Sequence, residues 1–295
     1  MPLTIWLVTD GKPGHMAQLQ GLAVAMAAAA DVATRWIEAP FEAPADAATA
    51  PPDLIVCAGR ATQRPALALQ KTHGGRSVVL MKPQLIRGRF DLAIIPEHDD
   101  PAPSDDVIVT RGALNAMQPT LGDPDRGLIL LGGPSKHVAW NDAAVLDQLD
   151  QLLEEFSPIQ WRLTTSRRTP LSMLCPLIER QCERLRVIPC EQTPRGWVAD
   201  QLSEAGHAVV TEDSVSMISE AATSGCLTSV LAVPSAGRTR SRVLRGVDRL
   251  IDAGAVCRLE DRPDFQPRMS LDEAARVAGL ICERWFAATP VRRAA

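Results

Sequence analysis

Five short segments gather the residue types that bind anions or move protons. In Thr9-Asp10-Gly11-Lys12-Pro13-Gly14-His15, Gly11 and Gly14 permit close backbone approach, while Asp10, Lys12 and His15 supply titratable groups. Leu131-Gly132-Gly133-Pro134-Ser135-Lys136-His137 repeats the design: glycines, then a hydroxyl, a lysine and a histidine. Thr164-Thr165-Ser166-Arg167-Arg168-Thr169-Pro170 sets Ser166 beside two arginines, whose guanidinium forks match phosphate oxygens. In Val210-Thr211-Glu212-Asp213-Ser214-Val215-Ser216, small polar residues crowd a helix start, and capping accounts for only Asp213 or Ser214. Glu220 follows on the same helix. Pro96-Glu97-His98-Asp99-Asp100 offers Asp99 as a general base; it makes a poor metal site, because adjacent residues seldom converge on one ion.

The spacings rule out several familiar machines. No Gly-Lys-Ser/Thr follows the first glycines, so it is not a phosphate loop of the Walker type, and the dinucleotide fingerprint spacing is missing. No Gly-x-Ser-x-Gly elbow is present either. Three of the four lysines (Lys12, Lys82 and Lys136) fall in Gly- or Pro-rich loops after apolar runs, and only Lys71 lies at a helix end. The pattern points to binding of an anionic ligand, with no covalent nucleophile and no metal.

Such loops need strands to end them and helices to begin after them. Apolar β-favouring runs alternate with helix-period segments along nearly the whole chain, the mark of βα units and parallel sheets. Strands are expected at 3–9, 34–37, 54–57, 77–81, 92–95 and 107–109, then at 128–131, 159–164, 185–188, 208–211, 229–232 and 255–259. Helices are expected at 16–29, 62–70, 142–155, 171–184, 213–224, 240–253 and 271–286, with a surface loop at 39–53. Dense turn chemistry at Gly122-Asp123-Pro124-Asp125-Arg126-Gly127 marks the break between a domain of residues 1–125 and one of 126–295. The fold class is therefore α/β, with two Rossmann-like parallel-sheet domains facing a cleft. In open parallel sheets, ligands bind beyond the carboxyl ends of the strands, where all five segments lie.

Composition narrows the partners. The chain has 295 residues and net charge −4; residues 1–125 carry 10 basic and 14 acidic side chains, and the remainder 21 of each. Neither half is basic, and the aromatics are too sparse for a base-stacking surface, so nucleic acid is not an expected partner. Seven scattered cysteines without a Cys-x-x-Cys pair read as reduced thiols of a cytoplasmic protein. The opening Met1-Pro2-Leu3-Thr4-Ile5-Trp6 lacks a basic region, which argues against a secretory signal, and the Ala-rich run from Leu22 to Ala30 is too short to cross a bilayer.

Taken in order, DGKPGHMAQLQGLAVAMA (Asp10 to Ala27), FDLAIIPEHDD (Phe90 to Asp100), GGPSKH (Gly132 to His137), TTSRRTP (Thr164 to Pro170) and VTEDSVSMISEAATSG (Val210 to Gly225) resemble the mitochondrial-fission ELM family and its bacterial members. That resemblance implies either a non-catalytic protein acting through partners or peripheral membrane association, or a nucleoside-diphosphate-sugar epimerase.

The Gly-rich loops opening both halves, with Ser216 and Glu220 ahead of Gly225, are also similar to GT-B glycosyltransferases. This second resemblance implies that a nucleoside-diphosphate-sugar binds as substrate in the interdomain cleft, without metal or other cofactor, for transfer to an unknown acceptor. It implies Glu220 on the ribose and Ser214, Ser216, Gly132, Gly133 and Ser135 around the diphosphate. Gly11, Lys12, Gly14, Lys136, Ser166, Arg167, Arg168 and Asp213 complete the expected binding set. His15 is the first candidate for general base and Asp99 the second. Helix 271–286 is expected to pack back on the first domain.

Overall fold

The computed structural model describes residues 2–39, 50–83, 89–155 and 158–286. The loop expected at 39–53 lies largely outside these. The first six strands and two helices are β1 (Leu3–Thr9), α1 (Pro13–Ala29), β2 (Val32–Glu38), β3 (Leu54–Ala58), α2 (Arg60–His73), β4 (Arg76–Leu80), β5 (Leu92–Pro96) and β6 (Val107–Thr110). There follow β7 (Asp123–Leu130), α3 (Asp142–Glu155), β8 (Gln160–Thr164), α4 (Leu174–Glu179), β9 (Leu185–Ile188), α5 (Trp197–Glu204) and β10 (Ala205–Thr211). The remaining elements are α6 (Val215–Thr223), β11 (Leu227–Leu231), α7 (Arg242–Asp252), β12 (Cys257–Arg258) and α8 (Glu273–Trp285).

Contacts divide the chain into two units: Met1–Ala116 with Asp272–Ala295, and Met117–Leu271. The change of unit comes before the turn-rich segment at 122–127 because Thr120 is already tied to the second unit. Its N–H donates to the Ser224 carbonyl (2.8 Å) and its hydroxyl to the Ser203 carbonyl (2.9 Å).

In the first unit six parallel strands run in the order β2-β1-β3-β4-β5-β6. The central strands are apolar throughout, as a parallel sheet covered on both faces requires; all of Leu54–Ala58 is buried. On one face Leu19, Leu22 and Met26 of α1 pack with Val277, Ala278 and Ile281 of α8 over Ile5, Leu7 and Val56. On the other, Ala66 and Leu69 of α2 cover Trp6, Ile55 and Val79. Pro13 opens α1, where its missing N–H removes no helical bond.

The second unit holds another six-stranded parallel sheet, β12-β11-β10-β7-β8-β9. Along β7 the side chains alternate: Leu128 and Leu130 join Leu202, Ile218 and Val247, whereas Ile129 and the adjoining Leu131 join Val145, Leu149 and Leu152 of α3. With two such sheets the fold is α/β, each unit Rossmann-like.

Two elements depart from expectation. The helix anticipated at 171–184 is a 3₁₀ turn (Leu171–Met173) followed by the short α4. It stops because the reciprocal Cys182 and Leu185 backbone bonds (3.2 Å each) close a turn into β9, and Arg180 is drawn off to Asp150 by a forked pair at 2.7 and 2.8 Å. Helix α5 was not anticipated; its N-cap is Gly196, whose φ of 90° suits glycine, within a Thr193-Pro194-Arg195-Gly196 stretch that reads as turn.

Candidate functional site

Each sheet order contains a switch point, where connections from adjacent strands leave in opposite directions and a crevice opens at the carboxyl ends. In the first unit it lies between β1 and β3, whose carboxyl ends are followed by His15, in the first turn of α1, and by Gly59. His15 Nδ1 lies 2.7 Å from Asp10 Oδ1, while Lys12 Nζ reaches Asp10 Oδ2 at 2.9 Å. Burial opposes charge on Asp10, but the hydrogen bonds from Lys12 and His15 outweigh it and hold the carboxyl at about 2. An ionised Asp10 keeps the proton on Nδ1 and leaves Nε2 as the nitrogen with a lone pair.

Gly59, at φ 95°, makes room for this pair: a Cβ there would stand 2.5 Å from the His15 ring. Gly11 has φ 73°, and its N–H donates to Thr9 Oγ1 (3.1 Å). Gly14 is exposed with nothing against the position of a Cβ, and Lys12 is exposed apart from its bond to Asp10.

The second unit's switch point lies between β7 and β10, and here the glycines serve the protein itself. The Gly132 N–H donates to Thr211 Oγ1 (2.7 Å) and the Gly133 N–H to Asp213 Oδ2 (3.1 Å). A Cβ on Gly132 would overlap the Asp213 carboxylate, and one on Gly133 the Arg168 carbonyl. Arg168 clamps the corner, with Nη2 on Asp213 Oδ2 (2.6 Å) and Nη1 on the Gly133 carbonyl (2.9 Å). Ser166 and Thr169 hydroxyls donate to the Gly132 carbonyl at 3.0 and 2.5 Å. In this conformation Gly132, Gly133, Ser166, Arg168 and Asp213 thus knit three loops together, and the two glycine amides are engaged.

What this scaffold leaves open is more telling. The Asp213 side chain is fully buried, yet its Oδ1 has no hydrogen-bond partner among the described residues. Ser214 caps α6, accepting the Met217 N–H at 3.5 Å. Ser216 is exposed in the first turn, and Glu220 lies four residues on, along the same helix face. Burial alone raises the Glu220 carboxyl to about 7. Arg167 and Lys136 are exposed at the rim, and Ser135 turns its loop by accepting the His137 N–H (3.1 Å).

Asp99 stands apart from His15. It ends a 3₁₀ turn (Glu97–Asp99) after β5, three strand spacings from β1, or roughly 14 Å. Its carbonyl receives Lys82 Nζ (2.8 Å) and its carboxylate is 4.0 Å from His98 Nε2. Among the described residues no three His, Cys, Asp or Glu side chains gather as metal ligands, and no helix is long and apolar enough to cross a membrane. Sequence reading passed over two contributors: Gly59, an isolated glycine after a strand, and the loop from Pro234 to Ser241, whose Gly-Arg-Thr-Arg was the available signal.

Solved structures share this architecture. A Listeria monocytogenes protein, provisionally assigned as a UDP-N-acetylglucosamine 2-epimerase, matches with a TM-score of 0.62 at 11% identity, covering 98% of each chain. The Staphylococcus aureus MnaA structure with UDP gives 0.56 at 14% identity, over 99% of this chain and 100% of that one. The Neisseria meningitidis UDP-GlcNAc 2-epimerase bound to UDP-GlcNAc gives 0.53 at 9% identity, over 96% and 99%. Among curated sequences, uncharacterized protein RP120 of Rickettsia prowazekii is 24% identical over 287 residues, covering 78% of this chain and 79% of its own. The model of the family described as mitochondrial fission ELM1 matches residues 13–285, and the chain belongs to that family.

Proposed function

We propose that the protein binds a nucleoside-diphosphate-sugar at the β7/β10 switch point and transfers the sugar to an acceptor hydroxyl. The observation that carries this reading is a shortage of donors at the start of α6. Asp213 Oδ1 is buried without a hydrogen-bond partner among the described residues, and burial pushes the Glu220 carboxyl up to about 7. A buried acceptor of this kind calls for a donor, and a ribose and a hexose supply hydroxyls in quantity. Ser216, Lys136 and Arg167 lie at the same edge, suited to the diphosphate between them.

In the chemical step the acceptor hydroxyl gives its proton to a general base, a role to which the Nε2 lone pair suits His15, while its oxygen bonds to the anomeric carbon. The bond from that carbon to the diphosphate oxygen breaks, and the nucleoside diphosphate leaves with the electron pair. Lys136 and Arg167 offset the charge that grows on it. Asp10 stabilises the imidazolium that forms.

Calorimetry with UDP, GDP and their sugars tests the reading: binding is expected, and Glu220→Ala and Arg167→Ala each weaken it. If none of these ligands binds, or if both variants bind as the parent does, the reading falls. The titles of the solved neighbours favour a second reading, epimerisation of the sugar. It is separated by products, since an epimerase converts the nucleotide-sugar with no acceptor present and a transferase releases nucleoside diphosphate only with one.

A further inference from the structure

The switch point of the second unit lies at the carboxyl ends of its strands. A cavity of about 350 Å³ opens at the other end of the same sheet, over the starts of β7, β8 and β9 and beside the last turn of α5. Residues two apart on a strand share a face, and the ladder sets Arg126 level with Gln160, Leu128 with Arg162, and Arg162 with Arg186. Arg126, Gln160, Arg162 and Arg186 therefore rise from one face, the face on which Leu128 and Leu130 meet Leu202 of α5. That helix has eight residues and packs on β10 and β7. A parallel sheet is ordinarily apolar where it is covered. Here two adjacent strands instead carry arginines in one row, with backbones about 4.8 Å apart, a spacing at which like charges repel.

The acids at the cavity leave this row unanswered. Glu204 is divided between Arg126 Nη1 (3.2 Å) and Arg162 Nη1 (3.7 Å), and Arg126 also leans on Asp123 (3.2 Å). Arg162 Nη1 donates in addition to Gln201 Oε1, a largely buried amide of α5, which holds that guanidinium at the cavity wall. Arg186 makes no hydrogen bond or ion pair among the described residues, and Glu183 at the same rim makes none with it. The lining thus holds three arginines and two carboxylates, one of the carboxylates shared by two of the arginines. An oxyanion between Arg162 and Arg186 would turn their repulsion into two charge-assisted attractions, each guanidinium donating to its own oxygen. The volume is that of a small-molecule site, and the Gln160 amide, two residues before Arg162, is placed to meet hydroxyls.

We infer that this cavity is a second anion site, taking a small phosphorylated or carboxylated molecule whose oxyanion lies between Arg162 and Arg186. From Gly127 at its floor to Leu131 at the Gly132 corner is four residues of extended chain, roughly 13 Å. The inference stands apart from the nucleotide-sugar reading, since it uses none of the same residues.

Calorimetry on the full chain with glucose 6-phosphate, glucuronate and glucose tests it. At least one of the two acids binds saturably and glucose does not, and the acid that binds tighter identifies the group as phosphate or carboxylate. Arg186→Ala weakens that binding at least tenfold, Arg186→Lys weakens it less, and Arg167→Ala, at the carboxyl ends of the strands, leaves it within twofold. Because the Arg186 side chain is exposed and holds no partner among the described residues, Arg186→Ala should unfold at the temperature of the parent. Absence of saturable binding by either acid, equal binding by glucose, unchanged binding in Arg186→Ala, or a loss in Arg167→Ala as large as in Arg186→Ala overturns the inference. None of these results decides whether UDP or GDP binds, which the earlier titrations report.

Discussion

Replacing Glu220 by Gln tests the claim that burial of this carboxyl is left uncompensated in the free protein. In the folded state the group titrates at about 7 against an ordinary value of 4.5. Between those values the folded protein holds a proton that the unfolded chain has released. Stability is therefore greatest below pH 4.5 as far as this group is concerned, falls as pH rises through the interval, and levels off above 7. A difference of this size, at about 1.4 kcal/mol per unit, amounts to about 3 kcal/mol. Glu220→Gln keeps the shape and cannot ionise, so it should be more stable than the parent at pH 8 by about that amount, with the two converging near pH 4.5. Urea unfolding at several pH values measures it, and the difference between the proteins cancels other titrating groups such as His207. Ligand binding supplies the reverse sign: a ribose diol donates to the ionised form, so UDP or GDP affinity of the parent should rise as pH passes 7 and that of the variant should not. Parallel stability curves for parent and variant would refute the reasoning.

Gly59→Ala must place a Cβ against the His15 ring at a backbone φ of 95°, so a loss of about 1–3 kcal/mol is expected in thermal unfolding, together with a displaced His15 proton resonance. An unchanged resonance would show that the ring has room to spare. Asp10→Asn should release the tautomer of His15, giving mixed Nδ1–H and Nε2–H forms in nitrogen-15 spectra and lowering turnover about 10²–10⁴-fold; a single Nδ1–H tautomer in the variant contradicts it. Gly133→Ala drives a methyl into the Arg168 carbonyl and should cost about 1–3 kcal/mol in unfolding free energy, whether or not nucleotide is present. A neutral result there would mean that the three loops part easily.

The strands of the described residues were legible because most are short apolar runs ending in polar or glycine-rich sequence. Their order was not, since a strand buried on both faces has no alternation to say which neighbour it takes. The anion-suited loops could be read from residue types, but the use of those residues could not. Gly132 and Gly133 have the composition of a phosphate cradle, yet Asp213 and Arg168, far along the chain, occupy the space that the missing Cβ atoms leave. His15 stood out as a base, while its partner Asp10 became apparent only when a 2.7 Å contact fixed which ring nitrogen holds the proton. Glu220 was placed by motif, and its desolvation is a property of the surrounding packing that no local pattern encodes.

The first unit is discontinuous: Met1–Ala116 needs residues from Asp272 onward to complete it, and everything between belongs to the other unit. During synthesis the second unit can therefore finish folding on a continuous stretch of chain while the first waits. Until α8 leaves the ribosome, Leu19, Leu22 and Met26 of α1 have no Val277 or Ile281 to bury them. A helix made well before the second unit is thus among the last to acquire its native cover, a window in which chaperones would find an apolar face and in which termination ahead of α8 leaves that face bare.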